Sequence, residues 1–294
     1  PVTFTGHTMI DFATPGAKEK IQIAIKEGVN AASAALNKQR RSVRLSPSSL
    51  GEECAAATWY RWRWAMKPQP LDGRMARYNS KGDPEEEIVA DLLRRSGWTI
   101  HTKDPATGQQ FSVSDLSGHL YGKVDGLASH PEHTKGSQIL FENKYVNTRR
   151  FIALTTKPLI EVDPKYYGQT VLYLLYLDLP AAMFFVGNRN DGDIEPILIP
   201  RDDGYARSLI KKGETVAQAI IRPARIAENP THFKCKMCDY ISICHFGAAV
   251  DINCRACVHA FPVENGQWKC GKWNAIIPNR EAMEAACSEF TPIK

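Results

Sequence analysis

Asp125 is followed, after sixteen intervening residues, by Glu142-Asn143-Lys144. Two carboxylates and an ammonium on neighbouring strands can hold a divalent cation against a phosphate and orient water beside it. Residues 118–126 read as a strand carrying Asp125, and 138–146 as its neighbour. In the second strand the period of two puts Leu140, Glu142 and Lys144 on one face, so both polar side chains reach one place. Glycines flanking the acidic stretch permit close approach of a backbone or ligand. A solvent-facing salt bridge between strands would use the same residues. A Glu-x-Lys tripeptide alone arises roughly once by chance in a chain of this length, so the elements around it must decide.

Two further segments bear on the choice. Gly82-Asp83-Pro84-Glu85-Glu86-Glu87 reads as a helix start, with Asp83 as N-cap, Pro84 in the first turn and the glutamates at the positive end of the helix dipole. Such a start needs no function. Glu86, however, stands three and seven residues before Val89 and Leu93, which aims it along the apolar stripe. A later helix is predicted from the Asp163-Pro164 cap to about Leu179. Within it Gln169 and Tyr173 share a face, and a buried Gln169 amide would need hydrogen-bonding partners.

Taken together, these residues resemble the PD-(D/E)XK nucleases, and within them the RecB-like exonucleases. The resemblance implies an α/β fold, with a mixed central sheet flanked by helices in a restriction-endonuclease-like core. It implies that Asp125 and Glu142 bind Mg2+ or Mn2+ and that Lys144 orients water or stabilises the transition state. Glu86, four residues after Gly82, corresponds to an additional metal ligand, with Glu85 as the rival. Gln169 and Tyr173 correspond to the Gln-x-x-x-Tyr element beside the active site and the DNA path.

Eight cysteines without a secretory signal favour metal ligation over a disulfide framework. Cys54 with Cys235-x2-Cys238-x5-Cys244 resembles the iron-sulfur arrangement of AddB-type and CRISPR-associated RecB-like nucleases, which implies a 4Fe-4S cluster; zinc on the same four thiolates is the alternative. Closing the 180 residues between Cys54 and Cys235 would restrict the unfolded chain strongly. Cys254-x2-Cys257, then Cys270 after twelve residues and Cys287 after sixteen more, reads as a small Zn2+-bound extension, with His259 or His245 able to replace Cys287. This stretch resembles C-terminal extensions of phage-encoded RecB-like nucleases. Its simplest role is to fold about forty residues too few for their own core.

At 294 residues and 43% hydrophobic content, the chain can bury one large core and carry an accessory module. The expected divisions are an N-terminal helical region, 1–80, containing Cys54; a nuclease core, 81–228; an iron-sulfur segment docked on it, 229–250; and a zinc module, 251–294. Helices are expected from Thr14-Pro15, Ser46-Pro47 and Asp83-Pro84 and over 203–227, and strands near 98–103, 109–114, 118–128, 137–147, 181–187 and 194–199. Asp178 and Pro180 break the longest apolar stretch, Val171 to Val186, so no membrane span is expected and a cytoplasmic protein is, in a bacterial host if phage-encoded.

The formal charge of +5 would fall to about +1 with both metal centres filled, so overall charge says little about DNA. Local groups say more. Lys38, Arg40, Arg41 and Arg44 form one, read more simply as a solvated helix face. Arg61, Arg63 and Lys67 interleave with Trp59, Tyr60, Trp62 and Trp64, a mixture suited to single-stranded DNA, and Arg149 and Arg150 follow the Glu142 strand. The expected activity is a metal-dependent DNA exonuclease of phage replication or recombination, with proteins of those processes as partners. The alternative from another class is a noncatalytic nucleic-acid-binding subunit of the same fold.

Overall fold

The computed structural model describes residues 16–36, 41–70, 72–79 and 82–294. The described helices are α1 (Ala17–Leu36), α2 (Pro47–Leu50), α3 (Ala55–Trp62), α4 (Gly73–Asn79), α5 (Gly82–Arg95), α6 (Thr148–Thr156), α7 (Leu159–Val162), α8 (Pro164–Tyr176), α9 (Asp203–Gln218), α10 (Phe233–Lys236), α11 (Ile241–Phe246) and α12 (Arg280–Ala285). The strands are β1 (Thr99–His101), β2 (Ser112–Asp115), β3 (Leu120–Lys123), β4 (Gly126–Ser129), β5 (Ile139–Val146), β6 (Ala181–Asn188), β7 (Ile194–Pro200), β8 (Ala260–Pro262), β9 (Trp268–Cys270) and β10 (Ala275–Ile276).

Two compact units emerge. One contains α1 and α4; the other contains residues 41–67 and 82–294. In the first, Arg77 of α4 donates to Asn30 Oδ1 at 2.8 Å and Ser33 Oγ at 3.1 Å on α1. The Thr14-Pro15 helix start, Lys38 and Arg40 lie outside the described residues.

The second unit is built on a five-stranded mixed sheet, ordered β1-β4-β5-β6-β7. β5 and β6 are parallel and the other neighbours antiparallel. A parallel pair needs a long crossover, and α6, α7 and α8 supply it. Asn147 caps α6 by accepting from the Arg150 N–H, and Asp163 caps α8 by accepting from the Lys165 and Tyr166 N–H groups. Side-chain alternation then covers both faces. Leu140, Ala182, Phe184 and Val186 pack with Leu154, Tyr173 and Leu174 on one side. Phe141, Met183 and Phe185 pack with Val89 and Ala90 of α5 on the other.

The single strand expected over 118–128 is two. β3 pairs with β2 in a separate two-stranded sheet, whereas β4 joins β1 and β5. The chain changes sheets at Val124-Asp125, which takes Asp125 out of either ladder. α5 begins at Gly82, one residue before the expected Asp83 start. The helix expected over 203–227 stops at Gln218, and α6 and α7 had not been expected.

A third core lies on the far side of α8. Trp59, Trp62 and Trp64 pack there with residues of α9 and with Ala256, Ala260, Trp268, Met283 and Ile293 of the C-terminal segment. That segment carries its own three-stranded sheet, ordered β10-β9-β8. Among the described residues no helix is long and apolar enough to cross a membrane.

Candidate active site and cysteine clusters

Register brings the first acids together. Gly126 of β4 stands opposite Phe141 of β5, so the preceding residue, Asp125, reaches the level of Glu142. Asp125 Oδ2 accepts from the Asn143 backbone N–H at 3.0 Å. The Lys144 ammonium bridges the two carboxylates, 3.4 Å from Asp125 Oδ2 and 2.6 Å from Glu142 Oε1, and also donates to the Asn143 carbonyl at 2.9 Å. α8 supplies the next contact: Gln169 Nε2 donates to Glu142 Oε1 at 2.7 Å. One turn later the Tyr173 hydroxyl donates to the Lys123 carbonyl at 2.6 Å.

The glycines fit this packing. A Cβ on Gly122 would lie 2.8 Å from Pro47 side-chain carbons and from the Tyr173 hydroxyl; one on Gly126 would lie 2.8 Å from the His101 carbonyl. Neither position has room for a side chain.

Glu142 is 1% exposed. Burial pushes its carboxyl up to about 7; Lys144 opposes the shift, while Asp125 and Glu86 add to it. Burial acts against the Lys144 ammonium, but Glu142 and then Asp125 outweigh it and hold the pKa above the usual lysine range. Lys144 therefore stays charged at neutral pH. Burial also raises the Tyr173 phenol, with Glu142 and Asp125 adding to the effect.

α5 separates the two rival glutamates. Glu85 pairs with Arg189 at 3.2 Å, whereas Glu86 is the one whose charge acts on Glu142. The structure thus gathers Asp125, Glu142, Lys144, Gln169 and Tyr173, with Glu86 near enough for its charge to add to the rise at Glu142. Tyr166, whose ring lies 5.9 Å from the Lys144 ammonium, was missed; its spacing, three residues before Gln169 on the same helix, was the available signal.

The residues chosen for DNA divide differently. Arg63 is 1% exposed and donates to the Ala260 carbonyl at 2.9 Å and the Cys257 carbonyl at 2.6 Å, so it cannot meet a phosphate. Trp59, Trp62 and Trp64 are each exposed by 2% or less and cannot stack on bases. For Arg63 and these tryptophans the interleaving is core packing, and the expectation that they meet DNA is corrected; Arg61 is not covered by that packing. Arg61 and Arg149 are exposed, whereas Arg150 is half-buried and paired with Asp163.

The cysteines fall into the two groups expected by spacing. Cys54, Cys235, Cys238 and Cys244 line a cavity of about 700 Å3, together with Arg61, Arg150, Lys165 and Arg225. Burial raises the Cys238 and Cys244 thiols, and Cys54 raises both further; Arg222 and Arg225 draw Cys244 back down. Cys254, Cys257, Cys270 and Cys287 line a second cavity with His259. His245 belongs to the first, where its Nδ1 is 3.2 Å from Arg225. None of the eight cysteines is in a disulfide. Among the described residues no three His, Cys, Asp or Glu side chains, as placed, converge enough to hold a metal ion. A donor is nevertheless left over at the carboxylates, because Glu142 Oε2 is buried without a hydrogen-bond partner.

No protein-family model and no curated protein matches the chain. Several solved structures resemble it distantly. The crystal structure of SSO0001 has a TM-score of 0.45 and 14% identity, covering 78% of this chain and all of that one. LHK-Exo in complex with dAMP has a TM-score of 0.42 and 15% identity, covering 65% of this chain and 90% of that one. A further structure of LHK-Exo, an alkaline exonuclease from Laribacter hongkongensis, has a TM-score of 0.41 at the same identity and coverage.

Proposed function

We propose that the chain is a metal-dependent DNA exonuclease of the PD-(D/E)XK, RecB-like type, with Glu86, Asp125, Glu142 and Lys144 as its active site. The observation that carries this reading is the convergence of two carboxylates on one ammonium, with Lys144 within 3.4 Å of Asp125 and 2.6 Å of Glu142. A cross-strand salt bridge does not require Glu142 to be buried with one oxygen unpartnered, and such a group costs stability. A metal-binding carboxylate does keep a free lone pair.

Asp125, Glu142 and Glu86 would hold Mg2+ or Mn2+. Carboxylate oxygens suit these hard cations, and the bound ion would polarise the scissile phosphate and activate water. Lys144 stays protonated, so it acts as a fixed cation beside the phosphate or the attacking water and not as a base. Gln169 fixes the Glu142 carboxylate, and Tyr173 fixes the backbone two residues before Asp125. Cys54, Cys235, Cys238 and Cys244 are assigned to a 4Fe-4S cluster, a complement of four thiolates in a cavity of ample size. Arg61 and Arg149, the exposed cations of the chosen set, are assigned to the DNA backbone.

The test is Mn2+-dependent degradation of labelled DNA. Asp125→Ala, Glu142→Ala and Lys144→Ala should each abolish most cleavage without unfolding the chain. Closed circular single-stranded DNA should be cut far more slowly than the same strand linearised. Wild-type turnover in Asp125→Ala would refute the site, and equal rates on circle and line would make the enzyme an endonuclease. DNA binding without cleavage by the wild type would leave a noncatalytic subunit.

A further inference from the structure

The second cysteine cavity differs in kind from the first. Its volume is about 20 Å3, room for one water-sized sphere, against about 700 Å3 around Cys54, Cys235, Cys238 and Cys244. A multi-iron cluster does not fit such a space, whereas a single ion does. Its walls come from three separate elements. Cys254 and Cys257 bracket a single 3-10 turn, in which the Cys257 N–H donates to the Cys254 carbonyl at 3.1 Å. Cys270 ends β9, and Cys287 follows α12. The Thr291 N–H lies 3.5 Å from Cys257 Sγ, a donor that favours the thiolate.

Charge gives a second, independent observation. Arg63 and Arg255 are 1% and 0% exposed. The Arg255 guanidinium lies 4.0, 4.7 and 4.5 Å from the ring centres of Trp62, Trp64 and Trp268. Among the described residues, the hydrogen bonds of both arginines go to backbone carbonyls, at Ala260, Cys257, Ser42 and Val43, and neither is paired with a carboxylate. Arg63 Nε and Arg255 Nε and Nη2 have no partner at all. Burying a cation without an anion is strongly unfavourable. Four neutral thiols cannot offset that cost. Four thiolates around a divalent ion carry a net charge of about −2, and Arg63, anchored directly to the Cys257 carbonyl, is the buried guanidinium placed to answer it.

We propose that Cys254, Cys257, Cys270 and Cys287 bind a single thiophilic divalent ion, zinc, as four thiolates, with Arg63 as the buried counter-charge that supports the site. An all-sulfur tetrahedral set suits zinc or an iron-sulfur centre, and the small cavity favours the single ion over a multi-iron cluster. The thiols line the cavity without already forming a closed shell, so loading turns side chains inward and contributes directly to folding. Its place in the molecule explains why this matters. β8, β9 and β10 have three, three and two residues, too little to hold the segment against the tryptophan core unaided.

The test uses the full chain carrying Asp125→Ala, so that no outcome depends on hydrolysis or on the nuclease reading. Elemental analysis should find zinc, and exchange with Co2+ should give the intense visible and sulfur-to-cobalt bands of a tetrahedral four-thiolate site. Those bands should persist in Cys235→Ser and His259→Ala and disappear in Cys257→Ser. Arg63→Met should weaken zinc binding, measured by competition with a chelating dye, by about 10–100-fold, and Arg63→Lys should recover part of the loss. Bands lacking sulfur-to-cobalt character overturn the site even if no cysteine variant folds, as does folded protein without zinc. Full affinity in Arg63→Met overturns the counter-charge.

Discussion

Glu142→Gln is expected to stabilise the chain when neither Mg2+ nor Mn2+ is present, and to do so more strongly as pH rises. The carboxyl is raised from 4.5 to about 7, chiefly by burial. A raised acid contributes stability that is complete below its unfolded pKa and is lost as pH climbs through the folded one. The loss corresponds to about 3 kcal/mol once the pH is well above 7. Glutamine resembles the protonated acid and does not titrate, so its advantage should grow by about 2 kcal/mol between pH 5.5 and 8.5. Lys144 remains charged over this interval and does not alter the trend.

Urea unfolding of wild type and variant at several pH values, without added divalent ions, reads the effect directly. With an m-value of about 3 kcal/mol/M for a chain of this size, the midpoints should separate by about 0.7 M more at pH 8.5 than at 5.5. Adding Mn2+ should reverse the order, because only the wild type gains binding energy from the ion. A wild-type advantage that increases with pH in the absence of metal would refute the burial argument. A variant stabilised by Mn2+ as much as the wild type would remove Glu142 from the ligand set.

Tyr173→Phe should lower stability by about 1–3 kcal/mol, because the Lys123 carbonyl loses a donor at 2.6 Å within a buried contact; an unchanged urea midpoint would show that this bond anchors nothing. Anaerobically purified protein should be brown and contain iron and sulfide, and Cys235→Ser should bleach it. Iron-free but fully folded wild type would overturn the 4Fe-4S assignment.

The carboxylates were legible because local geometry fixes their neighbours. A period of two placed Glu142 and Lys144 on one face, and a separation of four placed Gln169 and Tyr173 on one side of a helix. The sheet change at Val124-Asp125 was not legible, since 118–128 alternates as one strand would and only the pairing of β2 with β3 breaks it. Asn147, the cap of α6, was a local signal that went unused. Trp59, Trp62, Trp64 and Arg63 failed for a different reason. Cations beside aromatic rings suit a nucleic-acid surface and a buried cation-π stack equally, and the choice rests on Ala260 and Trp268, about two hundred positions later.

The same distinction explains how a buried acid pair is kept in register. Asp125 sits between two ladders, held on one side by the Gly126 register and the Asn143 N–H, so on the other its position depends on what holds the strand before it. That anchor is the Tyr173 hydroxyl on the Lys123 carbonyl, made possible by the missing side chain at Gly122. One helical turn earlier, Gln169 holds Glu142. Residues four apart in a helix are separated by about 6 Å along its axis, and α8 therefore acts as a ruler between the two carboxylates. A side chain at Gly122 would displace the Tyr173 hydroxyl from β3 and shift Asp125 relative to Glu142 without touching either acid.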